Sequence, residues 1–418
     1  MSPHKKVAKN IASLGLLQIT NYLVPVIAIP ILLNRIGLEN YGVIALAQGI
    51  MNVIVSFTDY GLNLTGTRLI SQNAENKVEQ GRIGFMIIMI KVILIVAFFI
   101  ILWVLVQFVP IWTKHAWLIL SSYLIVIGNS LMPVWYFQGI QKMSRLALFN
   151  FISRSLYIIG ILIFIQDESS FIYVNVINGL CWIIAAAIAL LAALNRIDFK
   201  VRFTSATEAF VFAKNNTSVF LSIVSGTAYR NTSIILAGFF LNSYWLGVYG
   251  VLDKIIMLII NSFSLVFRAI FPTLCTLIRE EAGNLKKFIL LTFGRLTLLL
   301  VPGVIILYWI GGDVIALLSD QITTEEIVPY MGLVALIPVV LFINLPVSLL
   351  MISHNMKREY LVYNSSALIV VLLISPILAT QFQIYGLIGG IALAECAMLV
   401  VGILIILIKG LKLNEQDV

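Results

Sequence analysis

The sequence predicts an all-α integral membrane protein, with twelve transmembrane helices in two pseudo-symmetric six-helix lobes around a central cavity. Three observations carry that expectation. Of the 418 residues, 61% are hydrophobic and 11% charged, with a mean hydropathy of +1.03; water-soluble chains carry about 25% charge. Apolar runs of about 20 residues, the length that crosses a bilayer, recur along the whole chain. Motifs in the first half also return in the second at a nearly constant shift.

Taken in order, the expected spans are 10–33, 40–66, 84–109, 116–138, 146–165 and 171–194, then 216–240, 245–273, 287–310, 327–351, 360–381 and 384–408. The first follows Lys5, Lys6 and Lys9, is too long for a signal peptide and precedes no small-residue cleavage site. Its Pro25 and Pro30 make it the candidate hinge, because each proline frees a backbone carbonyl and permits a bend. The second and eighth carry polar stripes. Single charges lie inside the third (Lys91), fifth (Arg154), seventh (Arg230), ninth (Arg295) and twelfth (Glu395). Cys181, Cys275 and Cys396 fall within spans without metal spacing.

The repeat is visible in two places. Pro133-Val134 with Met143-Ser144-Arg145 returns as Pro346-Val347 with Met356-Lys357-Arg358, and the run from Tyr41 aligns with the run from Leu246. Both shifts are close to half the chain. The expected lobes are 1–200, holding the first six spans, and 201–418, holding the rest. Parallel repeats of this kind are common in transporters, with the site between the halves near the midplane.

The net charge of +8 reads as topology. Nineteen of the 27 lysines and arginines fall in one set of connections and two, Arg35 and Lys114, in the other. This bias is the positive-inside pattern, so both termini are expected in the cytoplasm and no nucleic-acid partner is needed. The connections on the opposite side are too short for a catalytic domain.

At 100° per residue, Gln48, Asn52, Ser56, Asp59, Asn63 and Thr67 share one face of the second span. Asp253, Lys254, Met257, Asn261, Ser264 and Arg268 share one face of the eighth. Polar side chains in a membrane face a bundle interior or a wet cavity. Six basic groups (Lys91, Arg154, Arg230, Lys254, Arg268, Arg295) then stand against three acids (Asp59, Asp253, Glu395). A surplus of cations favours an anionic cargo, phosphate, pyrophosphate or acidic sugar, because guanidinium grips such groups by paired N–H donors. Asn52, Asn63 and Asn261 are the polar companions in that cavity. The acids are candidates for coupling, through a proton or Na⁺. Competing structural readings stand beside these: Lys91, Arg268 and Arg295 as snorkelling cations, Asp253 with Lys254 as a local neutral pair, and Glu395 as a neutral packing group. No nucleotide-binding G-x-x-x-x-G-K-[ST], H-E-x-x-H or G-x-S-x-G is present, which argues against an enzyme and against a cofactor or metal.

Several segments resemble a known family. The run from Gln18 to Gln48, Asp59-Tyr60-Gly61 through Arg68, Pro133 through Met143, Phe267 through Leu274, and Ala394-Glu395-Cys396 are similar to bacterial O-antigen repeat-unit flippases of the multidrug/oligosaccharidyl-lipid/polysaccharide exporter superfamily. The resemblance implies twelve helices in two lobes, and export of undecaprenyl-diphosphate-linked oligosaccharide from the cytoplasmic to the periplasmic leaflet of the inner membrane. It also implies cation-coupled antiport. A polysaccharide polymerase and a chain-length regulator are the partners to expect beside membrane lipid. The alternatives are a multidrug or organic-ion exporter of the same superfamily, which the surplus of cations disfavours, and a membrane polymerase or ligase, for which no long external loop is present.

Overall fold

A computed structural model describes residues 23–196, 206–279, 285–317, 321–354 and 356–409. Among the described residues there is no strand; the elements are helices and their turns, the form in which a single segment satisfies its own backbone in lipid. Nine described helices are long and apolar enough to cross a membrane. The described residues group into two compact units, Met1–Thr227 and Ala228–Val418. The lobe boundary expected at 200–201, and the start of the first expected span, lie outside the described residues.

In the N-terminal unit, α1 (Leu23–Ile36) holds Pro25 and Pro30, and α2 (Leu38–Asp59) and α3 (Leu62–Gln72) follow. The expected second span is therefore interrupted. Tyr60 (φ 49°) and Gly61 (φ 71°) are left-handed and break the α-helical ladder, so one continuous helical face cannot run from Gln48 to Thr67. Next come α4 (Lys77–Phe108), α5 (Pro110–Lys114), α6 (Ala116–Ser121), α7 (Tyr123–Leu131), α8 (Val134–Gly139) and α9 (Met143–Phe164). A 3-10 turn leads to α10 (Tyr173–Leu194). Helices α7 and α10 meet backbone to backbone: a Cβ on Gly128 would lie 2.5 Å from the Ile183 nitrogen. Small residues permit such close contact where no hydrophobic effect drives helices together, and Ala185, Ala186 and Ala189 extend the same buried stripe on α10. Arg35, expected in an external connection, caps the C-terminal end of α9. Its Nη1 donates to the carbonyls of Ile161, Leu162 and Ile165 at 3.2, 3.0 and 2.7 Å, where the helix dipole favours a cation. Helix α11 (Ala206–Asn215) precedes α12 (Thr217–Phe240).

The C-terminal unit contains the end of α12, then α13 (Ser243–Arg279), α14 (Leu285–Ala316), α15 (Thr324–Ser353) and α16 (Lys357–Ile408). Helix α15 packs against α13, α14 and α16. The 52-residue α16 is two helices across a kink at Gln383 (φ 48°, ψ −120°). Lys409 Nζ lies 3.0 Å from Glu359 Oε1, and Gly402 packs against Tyr363. The two segments therefore run antiparallel, which matches the separate spans expected at 360–381 and 384–408. Tyr229, Val347, Met351, Tyr363, Ala367, Ala394 and Met398 form a buried core around them. Leu298, Leu299 and Trp309 of α14 are largely exposed, an apolar face suited to acyl chains.

Candidate functional site

Each unit gathers polar and charged side chains in its interior. In the N-terminal unit, Lys91 comes from α4 and is 1% exposed. Its Nζ lies 3.0 Å from Asp59 Oδ1 and 3.2 Å from Asn63 Oδ1. The break at Tyr60–Gly61 makes this geometry: it ends α2 at Asp59, starts α3 at Leu62 and turns both side chains toward α4. Lys91 therefore does not snorkel. It is neutralised by Asp59, beside the negative end of the α2 dipole.

Gln48 and Thr67 of the first stripe are also partnered within the unit. Gln48 Nε2 donates to Asn175 Oδ1 at 2.9 Å, and Asn175 Nδ2 to Ser122 Oγ at 2.8 Å. Thr67 donates to Gln138 at 3.2 Å. Asn52 is exposed. Arg154 on α9 stacks over the Trp182 ring of α10 at 5.0 Å, with its Nε buried and without a hydrogen bond.

In the C-terminal unit, four residues from three helices form a chain. Arg230 Nε donates to the Tyr229 hydroxyl at 3.1 Å, and that hydroxyl donates to Glu395 Oε1 at 2.8 Å. Asn344 Nδ2 donates to Glu395 Oε2 at 3.0 Å and to the Glu395 carbonyl at 2.8 Å. Glu395 and Tyr229 are each 1% exposed. The chain borders a cavity of about 240 Å³ whose walls include Arg230, Tyr360, Tyr363, Asn364 and Phe267.

The remaining candidates are placed as follows by the described residues. Asp253 is buried with Oδ1 lacking any hydrogen bond among the described residues, and Lys254 is half-buried. Asn261 and Arg295 are exposed. Arg268 and Ser264 belong to α13, but their side chains lie outside the described residues. Tyr229, Asn344 and Trp182 escaped the sequence reading. Asn344 had a usable signal, a lone amide in the apolar run Phe342-Ile343-Asn344-Leu345. Nothing local marks Tyr229 or Trp182, whose roles arise from neighbours on other helices.

Outside these interiors, a second cavity of about 560 Å³ in the N-terminal unit is lined by Arg68, Arg82, Glu79 and Glu208. Arg82 bridges Glu208 at 3.0 Å and Glu79 at 3.8 Å, tying α11 to α4. No group of three metal-ligating side chains occurs among the described residues.

Residues 7–278 match the family described as polysaccharide biosynthesis protein. The chain is 26% identical to the "Putative O-antigen transporter" of Escherichia coli (strain K12), covering 97% of both chains. It is 24% identical to the protein of the same name from Shigella dysenteriae, covering 72% of this chain and 75% of that one. Among solved structures it superposes on the inward-facing conformation of a multidrug resistance MATE family transporter of the MOP superfamily. The TM-score is 0.77 at 15% identity, over 95% of this chain and 96% of that one. The outward-facing conformation of such a transporter gives 0.67 at 14% identity, over 100% and 98%. At these identities the structural likeness speaks for the fold, which is that of MATE-type membrane transporters.

Proposed function

The chain belongs to the polysaccharide biosynthesis protein family, and from that premise we propose that it is a flippase for undecaprenyl-diphosphate-linked oligosaccharide repeat units. It carries them from the cytoplasmic to the periplasmic leaflet of the bacterial inner membrane by cation-coupled alternating access, with both termini cytoplasmic. The observation that supports this reading most is similarity along 97% of the chain to a relative named for O-antigen transport. Membrane-embedded cations agree with it. Among the described residues, Arg154 and Arg230 each keep a guanidinium without a carboxylate bonded to it, and ionised guanidinium favours phosphate or carboxylate cargo. Lys254, Arg268 and Arg295 extend the proposed set, as do Asn52 and Asn261, each named from its place in an expected span.

Of the three acids, Asp59 is held by Lys91, and Glu395 by Tyr229 and Asn344. Asp253 alone keeps a buried carboxylate oxygen without a partner, so the coupling proton or Na⁺ is proposed there, with Pro25 and Pro30 as the flexing points. The working partners are a polymerase and a chain-length regulator, which receive the exported units.

One competing reading, a multidrug exporter, is favoured by the multidrug transporters among the solved structures that share this fold. Deletion of the gene decides between them. Lipid-linked single repeat units accumulating on the cytoplasmic side support the flippase. Unchanged repeat-unit pools with altered drug susceptibility support the exporter.

A further inference from the structure

We infer that the cavity of the C-terminal unit is a subsite for one anionic sugar ring, and that Glu395, Tyr229 and Asn344 are positioning residues which aim Arg230 into it. The identity of the ligand as cargo rests on the transport reading above; the subsite itself rests on geometry.

Both oxygens of Glu395 already receive donors, a phenol O–H and an amide N–H. A carboxylate furnished this way is an acceptor built into the wall, poorly suited to coordinate a passing cation, and Arg230 two bonds along the chain repels one. The chain works in the other direction. Glu395 orients the Tyr229 hydroxyl, and the hydroxyl takes the Arg230 Nε–H. The Tyr229 ring also lies under the guanidinium, 5.5 Å from its carbon. Arginine has five N–H donors in a rigid fork. With Nε–H committed, the paired Nη groups are what Arg230 offers to the cavity it lines.

The cavity limits the ligand in size and charge. Its volume of about 240 Å³ lies below the roughly 300–1,000 Å³ usual for drug-sized ligands, so about one ring seats in it and the rest of a longer glycan extends through its open side. One guanidinium matches one negative charge, a uronate carboxylate, better than the greater charge of a diphosphate. Tyr360 and Tyr363, stacked with centroids 5.9 Å apart and planes at 22°, line the same space. Tyr360, half-buried and backed by the buried Tyr363, presents the aromatic edge of the cavity to the C–H face of a pyranose.

The test uses the full chain, purified and returned to a lipid bilayer, with glucuronate, glucose and inorganic pyrophosphate as probes in calorimetry. The expected result is glucuronate bound about tenfold tighter than glucose, as one charge-assisted pair provides, and not displaced by pyrophosphate. Tyr229→Phe, which removes only the hydroxyl, is expected to shrink that preference severalfold, beside a lowered melting temperature from the Glu395 oxygen and Arg230 Nε–H left unpaired; Arg230→Lys is expected to keep part of it. Equal binding of the two sugars, displacement by pyrophosphate, or an unaltered preference in Tyr229→Phe would each overturn the proposal. The wild-type measurements do so even where Tyr229→Phe or Arg230→Lys fails to fold. Repeat-unit accumulation in cells is read separately. Selective glucuronate binding without accumulation on deletion would sink the transport reading and leave the subsite standing.

Discussion

The two buried charge clusters are built from similar parts and arranged differently. In the N-terminal unit, ammonium and carboxylate touch: Lys91 meets Asp59 directly, with Asn63 filling a further donor position. In the C-terminal unit, Tyr229 stands between guanidinium and carboxylate. The first arrangement closes on itself, since each charge consumes the other. The second leaves the guanidinium oriented and its fork unspent, beside a cavity. Contact therefore distinguishes a charge that supports the bundle from one available to a ligand, although both look alike as isolated charges in apolar runs.

Asp59→Asn tests the closed cluster most severely. Lys91 is 1% exposed, so losing its counter-charge leaves a buried ammonium. Breaking such a pair from one side costs about 3–5 kcal/mol. The expected outcome is a large fall in melting temperature or loss of protein from the membrane. Lys91→Met should cost less, because the Asp59 side chain is 17% exposed and reaches water more readily. The double variant should recover most of the loss, since well-packed apolar replacements of buried pairs are often neutral. A double-mutant cycle that summed without recovery would show that the two residues do not act as a pair.

The same measurement on Glu395→Gln should give a smaller effect. Gln keeps one acceptor oxygen and turns an NH₂ toward one of the two donors, leaving a donor unsatisfied at about 1–3 kcal/mol. If Glu395→Gln proved as damaging as Asp59→Asn, the C-terminal cluster would be a structural clamp like the first, and the contrast between them would vanish.

Much of this was legible before the coordinates. Each expected span position within the described residues carries a helix, and the paired spans near the C-terminus are the two arms of α16. Hydropathy reports such features because burial in lipid demands length and apolarity from a single segment. The partners were harder to see. The 100° construction placed Asp59 and Asn63 on one face, and they do converge, but through a helix break that the construction ignores. Tyr60-Gly61 carried a local cue in its glycine; Lys91 as the group they converge upon carried none. Arg295 reads either as a cavity cation or as a snorkelling one, and it is exposed on α14; apolarity is too uniform along that helix to fix its rotation from sequence.

The break itself offers a milder test. Gly61 has φ 71°, a left-handed conformation that costs an L-residue about 1–2 kcal/mol. Gly61→Ala should destabilise by that order and weaken the Lys91 cluster with it. Scanning calorimetry on Gly61→Ala in wild-type and Asp59→Asn backgrounds should show a smaller penalty in the second, where the cluster is already lost.

The smallest effect belongs to a surface acid that is part of neither cluster, and it calibrates the others. Asp167 caps the turn before α10: its Oδ1 accepts from Ser169 Oγ at 2.7 Å and from the Ser170 backbone nitrogen at 3.0 Å. These hydrogen bonds, the Ser169 hydroxyl first, hold its carboxyl below the ordinary carboxylate range. A depressed folded-state value means that the contribution is complete above the unfolded value and is lost as pH falls through the folded one. Asp167→Asn should therefore melt slightly below wild type at neutral pH, and the gap should close in strongly acidic buffer. Asp59→Asn at neutral pH should exceed that gap severalfold, because a surface cap is worth little beside a buried pair. Equal penalties at the two sites would mean that the Lys91–Asp59 contact is solvated, and the reading of a closed N-terminal cluster would fall with it.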